Sequence, residues 1–411
     1  MNMDNTSLQN LPLKGIKVID AASFIAAPLV SALMSDYGAE VIKIEHLTGD
    51  TYREAVIGGH VWPESDMDWA FILENRNKRS LSIDLKTKYG QIILKKLLNE
   101  TDVFITNLPA KPREKLGLTS EIIREINPKI IYASLTAYGE IGPDSKRTGL
   151  DSTAYYARSG LMEWSKTNEA KEIPTFPIPG GGDHPTGLSL FTAILLGLMN
   201  REKTGLGTKV STSLLANGIW SNAMLVQALL AGHKPIDTFH WDTLSAMRNI
   251  YYLKDESLFF MLLTNEEKHW ELFLKSFSLD YLLKDPRFNT KDSRELNKKQ
   301  LKPILQEKFI TLSYEEVREK LISTGIVFTK IVKTEDTIKD PQTNLNNMFM
   351  DIKGELIEDL QVVSPPLNIE NAPRINATKA PKLGEHNVEI LKELGYTDKE
   401  IKDMQNNKVI L

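Results

Sequence analysis

The sequence predicts an α/β fold in which a Rossmann-like large domain is joined to a smaller α+β domain. Three observations lead to this prediction. Apolar strand-like segments alternate with helical segments in the first third of the chain, which is typical of a parallel sheet. The middle of the chain instead carries aromatic alternating segments and charged helices. The length of 411 residues exceeds one ordinary core, so two domains are expected.

The elements of the large domain follow from short apolar runs and from helical periodicity. The predicted strands are 16–20, 40–45, 80–84, 103–106 and 130–135. The predicted helices are 28–37, 89–99 and 188–199. The segment 209–232 is mostly apolar, and it predicts one long helix that leads out of this domain.

The elements of the small domain follow from a change in composition. Aromatic alternation over 251–263 predicts strands around the turn Lys254-Asp255-Glu256, and amphipathic helices are expected at 266–276 and 296–311. A proline-rich segment and the helices 387–394 and 398–405 close the chain. The predicted domains are the first part of the large domain at 1–208, a linker helix at 209–235, the small domain at 236–325, and a return linker with the C-terminal part of the large domain at 326–411.

Composition excludes several classes of function. A net charge of −4 does not indicate the basic surface that nucleic-acid-binding proteins have. The absence of cysteine excludes disulfides and thiolate sites and fits the cytoplasm. The polar start of the chain is unlike a signal peptide, and no apolar run is long enough to span a bilayer, so no membrane partner is expected. The seven histidines lack metal-binding spacings, so no metal site is expected.

A glycine-rich turn delivers one carboxylate to the start of an apolar helix. Gly180, Gly181 and Gly182 precede Asp183, and the predicted helix follows. Free N–H groups at a helix start favour negative charge, so Asp183 is expected to stay ionised near neutral pH. Such a carboxylate can act as a nucleophile with an oxyanion site beside it. The alternative is an N-cap residue with Pro185 in the first turn.

Two acidic residues at strand ends, Asp20 and Glu45, suggest a dinucleotide-dependent oxidoreductase as a rival class. That class needs a G-x-G-x-x-G turn after the first strand. The turn here is Ala-Ala-Ser-Phe-Ile-Ala-Ala-Pro at 21–28, so the nicotinamide hypothesis loses its main support.

Fragments spread nearly end to end resemble one family. They are LKGIKVID at 13–20, GAEVIKIE at 38–45, NKRSL at 77–81, NPKIIYAS at 127–134, GD at 182–183, TGLGTKV at 204–210, DPRF at 285–288, DPQ at 340–342 and APKLGEHN at 380–387. In this order they resemble the class III coenzyme A transferases, the formyl-CoA and carnitine CoA-transferase family. The turn at 24–28 and Gly182-Asp183-His184 look most like the branch that acts on 2-hydroxy acids, which includes phenyllactate and 2-hydroxyisocaproate CoA-transferases.

The resemblance implies a catalytic role for Asp183. In the family an aspartate after glycine attacks an acyl-CoA thioester, and the reaction passes through an aspartyl anhydride and an aspartyl-CoA thioester. Gly181 and Gly182 would then place oxyanion donors. Asp151 falls where the formyl-CoA transferases carry a glutamate, and it either orients the site or is a plain turn residue. CoA and acyl-CoA are the implied substrates, with a carboxylic acid as partner and no tightly bound cofactor.

The resemblance also points to a set of CoA-binding residues, although surface lysines are often only solvated charges and Asn107 could be a helix cap. The set is Phe24, Ile25, Ala26, His46, Leu73, Arg76, Lys78, Asn107, Lys111, Arg113 and Lys115.

Two departures from the formyl-CoA transferases favour a bulkier, less polar acid. Ile25 stands where those enzymes have glutamine, and the segment 243–249 lacks their glycine-rich loop. Aromatic and methionine side chains are more often plain core, so five candidates for the lining of the acyl pocket stay unassigned: Tyr155, Tyr156, Trp164, Met224 and Trp241.

Three further expectations complete the sequence-based picture. An α-methylacyl-CoA racemase is a rival on the same fold, and its chemistry needs a second acid or base besides the aspartate. The racemases place a histidine where this chain has Leu150, which argues against racemisation. Only the nearby His184 keeps this alternative open. A catalytically silent CoA-binding protein is another alternative.

The family implies ring-shaped chains in an interlocked homodimer, and the apolar surface of 209–232 supports a buried interface.

Overall fold

The computed structural model describes residues 11–61, 63, 65–166, 173–234, 243–353, 360–372 and 374–411. The chain divides into two compact units. The larger unit comprises Met1–Ser165, Pro174–Lys234 and Asn347–Leu411, and the smaller unit comprises Lys166–Ile173 and Pro235–Asn346. The C-terminal segment therefore returns to the unit that the N-terminal segment begins.

A parallel sheet forms the centre of the larger unit. Its strands are β1 Lys17–Asp20, β2 Glu40–Glu45, β3 Arg79–Ser82, β4 Val103–Thr106, β5 Ile131–Thr136 and β6 Lys209–Ser213. The strand order is β3-β2-β1-β4-β5-β6, and each described pairing is parallel. This is the Rossmann strand order, in which ligands bind where the order reverses, here beyond the carboxyl ends of β1 and β4. The predicted parallel α/β architecture is confirmed.

The helices of the larger unit cover both faces of this sheet. Up to the small unit they are α1 Ala26–Asp36, α2 Trp69–Asn75, α3 Lys88–Asn99, α4 Ala110–Lys115, α5 Ser120–Ile126, α6 Asp183–Thr204, α7 Leu214–Ser221 and α8 Ala223–Leu230. Side chains alternate along each strand, so Val103 and Ile105 pack with α1 and α6 while Phe104 packs with α3 and α5. Both layers are apolar, which explains the continuous apolar runs of these strands.

The prediction of one long helix over 209–232 is wrong, because the segment begins as a strand and continues as the two separate helices α7 and α8. Lys209–Ser213 is the edge strand β6, and it pairs with β5 in parallel register from Tyr132 opposite Lys209 to Thr136 opposite Ser213. Ser213 then caps α7 through its hydroxyl, which accepts from the N–H of Ala216. The strand sequence KVSTS is polar and rich in β-branched residues, and the apolar helical pattern begins only at Leu214.

The smaller unit contains an antiparallel sheet and a set of helices. Its elements are β7 Arg248–Tyr252, β8 Leu258–Leu262, α9 Glu266–Ser276, α10 Lys291–Leu296, α11 Lys298–Phe309, α12 Tyr314–Leu321, β9 Val327–Ile331, α13 Thr334–Thr337 and α14 Pro341–Leu345. The strand order is β7-β8-β9. Its core is aromatic, with Phe259, Phe273 and Phe277 all packed around Phe309.

The returning chain completes the larger unit with β10 Phe349–Lys353, β11 Gln361–Val363, β12 Ala377–Thr378, α15 Asn387–Glu393 and α16 Asp398–Asn406. The last two helices pack in the same apolar layer as α3. No helix within the described ranges is both long enough and apolar enough to cross a membrane.

Candidate active site

The turn after β1 lies where the order of the sheet reverses. Its backbone is held from β4, because the Asn107 amide accepts from the N–H of Ser23 at 3.0 Å and donates to the carbonyl of Ser23 at 2.7 Å. Phe24 takes a positive φ of 63°, an uncommon conformation for a residue with a side chain. Ile25 and Ala26 then begin α1. The structure therefore brings Phe24, Ile25, Ala26 and Asn107 together, although the amide of Asn107 serves the turn.

Buried charged side chains also form hydrogen bonds with the backbone of this turn. Asp20 accepts hydrogen bonds from the N–H of Ala22 and from Lys78 Nζ, and Lys43 Nζ donates to the carbonyl of Ala22. Lys78 also donates to the carbonyl of Pro28 at 2.9 Å. A buried hydrogen-bonded network of this kind restrains the backbone that it contacts.

The placement of Lys78 and Arg76 does not agree with the prediction that they bind CoA phosphates. The Lys78 ammonium is fully buried, and Asn75 supplies its third acceptor, besides Asp20 and Pro28. Burial lowers the pKa of Lys78 to about 8. Arg76 is buried against Asp36 in a two-armed ion pair of 3.1 and 2.6 Å. Both cations therefore support the fold around the site.

The remaining predicted CoA residues occupy two places. Leu73 is half-buried in α2, and exposed His46 bonds through Nδ1 with the Thr48 hydroxyl at 3.0 Å. The basic residues of α4 follow β4 at the carboxyl edge of the sheet, where Lys111 and Lys115 are exposed. Arg113 lies within 3.4 Å of the Tyr132 hydroxyl and of Glu140. Their binding of CoA stays a prediction.

Asp183 is the first residue of α6, and Gly182 precedes it as the N-cap. Asp183 is therefore inside the helix, and no side-chain capping hydrogen bond is formed there. The glycines allow a close approach of neighbouring groups. A Cβ on Gly182 would lie 2.6 Å from the Tyr155 ring, and a Cβ on Gly181 would lie 2.4 Å from the Tyr156 hydroxyl. A side chain on Gly182 would collide with the buried Tyr155 ring, and one on Gly181 would require the Tyr156 hydroxyl to move.

The N–H groups of Gly181 and Gly182 are already used within the protein. Gly181 donates to the carbonyl of Ile178 at 3.1 Å, and Gly182 donates to Asp151 Oδ2 at 3.3 Å. The prediction that these two amides serve as free oxyanion donors is thus not supported. Among the described residues, the amides of Gly180 and Asp183 form no hydrogen bond within the chain and stay available.

Asp183 also differs from its predicted charge state. Burial, together with the charges of Asp151 and Glu74, raises the pKa of Asp183 to about 7, and His184 opposes this rise. Burial and the two neighbouring carboxylates therefore oppose the ionised state that the sequence predicts for this carboxyl, whereas His184 favours it. Asp151 lies on a π-helix, Asp151–Ala157, whose fold places its carboxylate against Gly182.

Glu74 and His184 form a pair that the sequence did not predict. Glu74 Oε1 lies 2.9 Å from His184 Nε2, and the Glu74 side chain is buried while that of His184 is half-exposed. Burial disfavours the imidazolium, but the hydrogen bond and charge of Glu74, with the charge of Asp183, outweigh it and raise the pKa of His184. The only local signal for Glu74 is a carboxylate within the apolar run of α2.

The proposed pocket linings fall in different places. Tyr155 and Tyr156 lie against Gly182 and Gly181, and the Tyr155 hydroxyl bonds with that of Ser221 at 2.6 Å. Met224 is 86% exposed on α8. Trp164 is half-buried in a short 3₁₀ turn, and Trp241 lies outside the described residues.

The acidic residues that suggested a dinucleotide site are both engaged. Asp20 belongs to the buried network with Lys78, and Glu45 is bound by both arms of Arg53 at 2.7 Å. Neither carboxylate is therefore free to bind a ribose.

Comparison with known proteins identifies the class. The model of CoA-transferase family III matches residues 13–387, and the chain belongs to this family. It is a CoA-transferase. The chain is 34% identical over 401 residues to the (R)-2-hydroxy-4-methylpentanoate CoA-transferase of Clostridioides difficile, covering 97% of this chain and 99% of that one. It is 30% identical to the cinnamoyl-CoA:phenyllactate CoA-transferase of Clostridium sporogenes, with 97% of each covered.

A solved structure supports the same fold. The crystal structure of a CAIB/BAIF family protein from Brucella suis superposes with a TM-score of 0.80 at 28% identity. The match covers 94% of this chain and 100% of that chain. The arrangement of strands and helices described above is therefore that of an established family.

Proposed function

We propose that Asp183 is the nucleophile of a CoA transfer between two carboxylic acids. The observation that carries this proposal is the position of Asp183 as the first residue of α6. The amides of Gly180 and Asp183 form no hydrogen bond within the described chain, and the preceding Gly181 and Gly182 lie in close contact with Tyr156 and Tyr155. A helix N-terminus stabilises the developing oxyanion as well as the attacking carboxylate.

The steps follow the chemistry of a carboxylate and a thioester. An oxygen of Asp183 bonds to the carbonyl carbon of the donor acyl-CoA, the C–S bond breaks, and CoA leaves as thiolate. The thiolate then attacks the aspartyl carbonyl of the mixed anhydride, which releases the donor acid and leaves an aspartyl-CoA thioester. The acceptor carboxylate repeats both steps in reverse, and Asp183 is regenerated as a carboxylate.

The proposed substrates are 2-hydroxy, aromatic or branched acids. Support comes from the two relatives named for a hydroxymethylpentanoate and for phenyllactate. Ile25 adds a local argument, because its Cδ1 lies 4.0 Å from the position that a Cβ on Gly180 would take. An apolar side chain beside the nucleophile favours an acid with an apolar body.

CoA itself is proposed to bind at the carboxyl ends of β1 and β4. The turn at Phe24–Ala26 offers backbone donors there, and α4 offers the exposed cations Lys111 and Lys115 with Arg113. Phosphates are bound well by such cations and by helix starts. No resident cofactor is proposed.

We also propose that two ring-shaped chains form an interlocked homodimer. The support is the exposed apolar surface of α7 and α8, where Trp220 and Met224 are 79% and 86% exposed. Monomers rarely leave such patches in water. The proposed compartment is the cytoplasm, because a chain without cysteine suits a reducing environment.

The test is a covalent adduct on Asp183. The protein is incubated with branched 2-hydroxyacyl-CoA, arylacyl-CoA or succinyl-CoA and trapped with hydroxylamine or borohydride. We expect a mass change confined to the peptide that contains Asp183, and a loss of transfer of at least about 10³-fold in Asp183→Asn.

Asp151→Asn serves as the matched control, because it removes a neighbouring carboxylate and should keep the adduct. Transfer without an adduct on Asp183 would contradict the proposal. Entry of solvent deuterium at the α-carbon of a 2-methylacyl-CoA, without transfer, would favour a racemase on the same fold.

A further inference from the structure

The half-exposed imidazole of His184 faces the space next to the nucleophile. A Cβ placed on Gly180 would lie 3.7 Å from His184 Cε1, 4.0 Å from its Nδ1 and 4.0 Å from Ile25 Cδ1. Gly180 is buried and has a positive φ of 73°, and because it lacks a side chain the His184 ring lies close to its backbone. The Nδ1 edge of His184 and the free amides of Gly180 and Asp183 therefore belong to one small region.

The two nitrogens of His184 have different surroundings. Nε2 is paired with Glu74 Oε1 at 2.9 Å, whereas Nδ1 makes no hydrogen bond within the part of the chain that the structure describes. An ionised carboxylate can only accept, so Nε2 must carry a proton. Nδ1 is then an acceptor in the neutral ring and a donor in the imidazolium.

Glu74 holds the ring more firmly than a surface contact would. Its side chain is 2% exposed, and its second oxygen, Oε2, is buried without a partner among the described residues. A buried carboxylate with one unpaired oxygen is costly, and a charged partner at the other oxygen offsets part of that cost. The Glu74–His184 pair therefore favours the imidazolium, with the Nδ1–H directed away from Glu74.

We propose that His184 is a catalytic residue whose Nδ1–H binds the acyl oxygen during attack at Asp183, and that Glu74 is the residue that positions it. This inference rests on the proposed function of Asp183. Among the side chains beside Gly180, Ile25 is apolar, so His184 supplies the polar contact. The imidazolium adds a positive charge where each tetrahedral oxyanion forms, which is the place where a donor accelerates the reaction most.

Several charged groups determine the state of this ring. Glu74 and Asp183 favour the imidazolium, whereas Arg76 disfavours it. Tyr52 is also buried, and burial together with the charges of Glu74, Asp183, Asp68 and Asp50 raises its pKa, so it stays neutral. Transfer should therefore decline at alkaline pH as His184 loses its proton.

The experiment compares two variants of His184, each of which keeps an amide near one of the two ring nitrogens. A glutamine places an amide near Nε2 and retains a partner for Glu74, whereas an asparagine places one near Nδ1. We expect His184→Gln to lower kcat for CoA transfer by about 10²- to 10³-fold with little change in KM for CoA substrates. We expect His184→Asn to lose less and to lack the alkaline decline.

Glu74→Gln tests the positioning role. It keeps an acceptor for Nε2 but removes the negative charge, so the alkaline limb of the kcat profile should move down by roughly one pH unit. A purely structural role for Glu74 would lower stability without moving this limb. Thermal unfolding of each variant separates the two effects.

The outcomes distinguish this inference from the function on which it rests. If the wild-type chain forms the Asp183 adduct and His184→Gln forms it within about threefold of the same rate, the role of His184 is refuted and the nucleophile stands. If the alkaline limb is unchanged in both His184→Asn and Glu74→Gln, the role of the imidazolium is also refuted. If the wild-type chain forms no adduct on Asp183, both proposals fail.

Discussion

At the scale of single residues, the charge of Asp183 is set by its neighbours. Burial, together with the carboxylates of Asp151 and Glu74, raises its pKa to about 7. As the proposed nucleophile, Asp183 must be ionised, because a protonated carboxyl does not attack a thioester. Activity is therefore expected to rise with pH through about 7. The proposed role of His184 predicts a decline at higher pH, where the imidazolium loses its proton.

Replacing Asp151 by asparagine should move the acid limb of this profile. The change removes one negative charge from beside Asp183 and so lowers its pKa, because the ionised form is then opposed by fewer like charges. We expect the acid limb of kcat to move down by about 0.5 to 1 pH unit. The asparagine would keep only one oxygen to accept from the N–H groups of Ser152 and Gly182, so the size of kcat could also change. The measurement is therefore the pH at which the acid limb lies, not the maximal value of kcat.

Asp144→Asn is the matched control for this experiment. Asp144 pairs with Arg158 at 2.7 Å on the protein surface and does not contribute to the pKa of Asp183. Its variant should leave the acid limb where it is. An unchanged limb in Asp151→Asn would show that its charge does not act on the nucleophile.

At the scale of elements, the site depends on how closely α6 begins against its neighbours. The Tyr155 ring and the Asp151 Cβ would lie 2.6 and 2.9 Å from a Cβ on Gly182. The ring is buried, and its hydroxyl is bonded to that of Ser221, so it has little room to move. Further along, Gly187 packs against the carbonyl of Ala26, which joins the start of α6 to the start of α1.

Gly182→Ala should therefore displace the start of α6 and abolish transfer while the rest of the helix remains. We expect a loss of at least about 10²-fold in kcat, since a shift of an ångström at the reacting centre costs this much. Steady-state kinetics and trapping of the Asp183 adduct would measure it.

Gly197→Ala is the control on the same helix. A Cβ there would meet Ile131 Cγ2 at 3.2 Å, a tight contact well away from the nucleophile. This variant should change the free energy of unfolding by no more than about 1 kcal/mol and keep its activity. Full activity in Gly182→Ala would contradict the steric argument.

At the scale of the whole molecule, the helices α7 and α8 leave apolar side chains in water. No residue of α8 is buried, although its sequence AMLVQALL is almost wholly apolar, and Leu230 is 76% exposed. Exposed apolar area of this kind is stabilised when a second chain covers it, at about 25 cal/mol per Å². The solitary chain is therefore not expected to be the stable form.

We expect the purified protein to be a dimer by light scattering and to unfold at a temperature that rises with concentration. The double variant Met224→Asp with Leu230→Asp should shift the equilibrium toward monomer and lower that temperature. Leu296→Asp is the control, because Leu296 is an equally exposed apolar residue on α10 of the smaller unit. A wild-type protein that is monomeric at micromolar concentration would refute the proposed homodimer.

The sequence by itself determined the features that depend on local periodicity and on motifs. The strand Val103–Thr106 and the helix Glu266–Ser276 have the bounds that a short apolar run and helical spacing predict. The glycines before Asp183 indicated its place at the start of α6, and the distributed fragments indicated the family that the comparisons show. Such features arise within a few residues of one another, so the pattern of the chain contains them.

Tertiary structure decided the rest, because it brings together groups that are far apart in the chain. Glu74 and His184 are separated by 110 positions, and no local pattern pairs them. Arg76 and Lys78 are buried in ion pairs with Asp36 and Asp20, so these two cations stabilise the fold. Pairing with β5 made Lys209–Ser213 a strand in spite of the apolar helix that follows. Each result depends on the free energy of burial and pairing across the sheet, which only the folded chain determines.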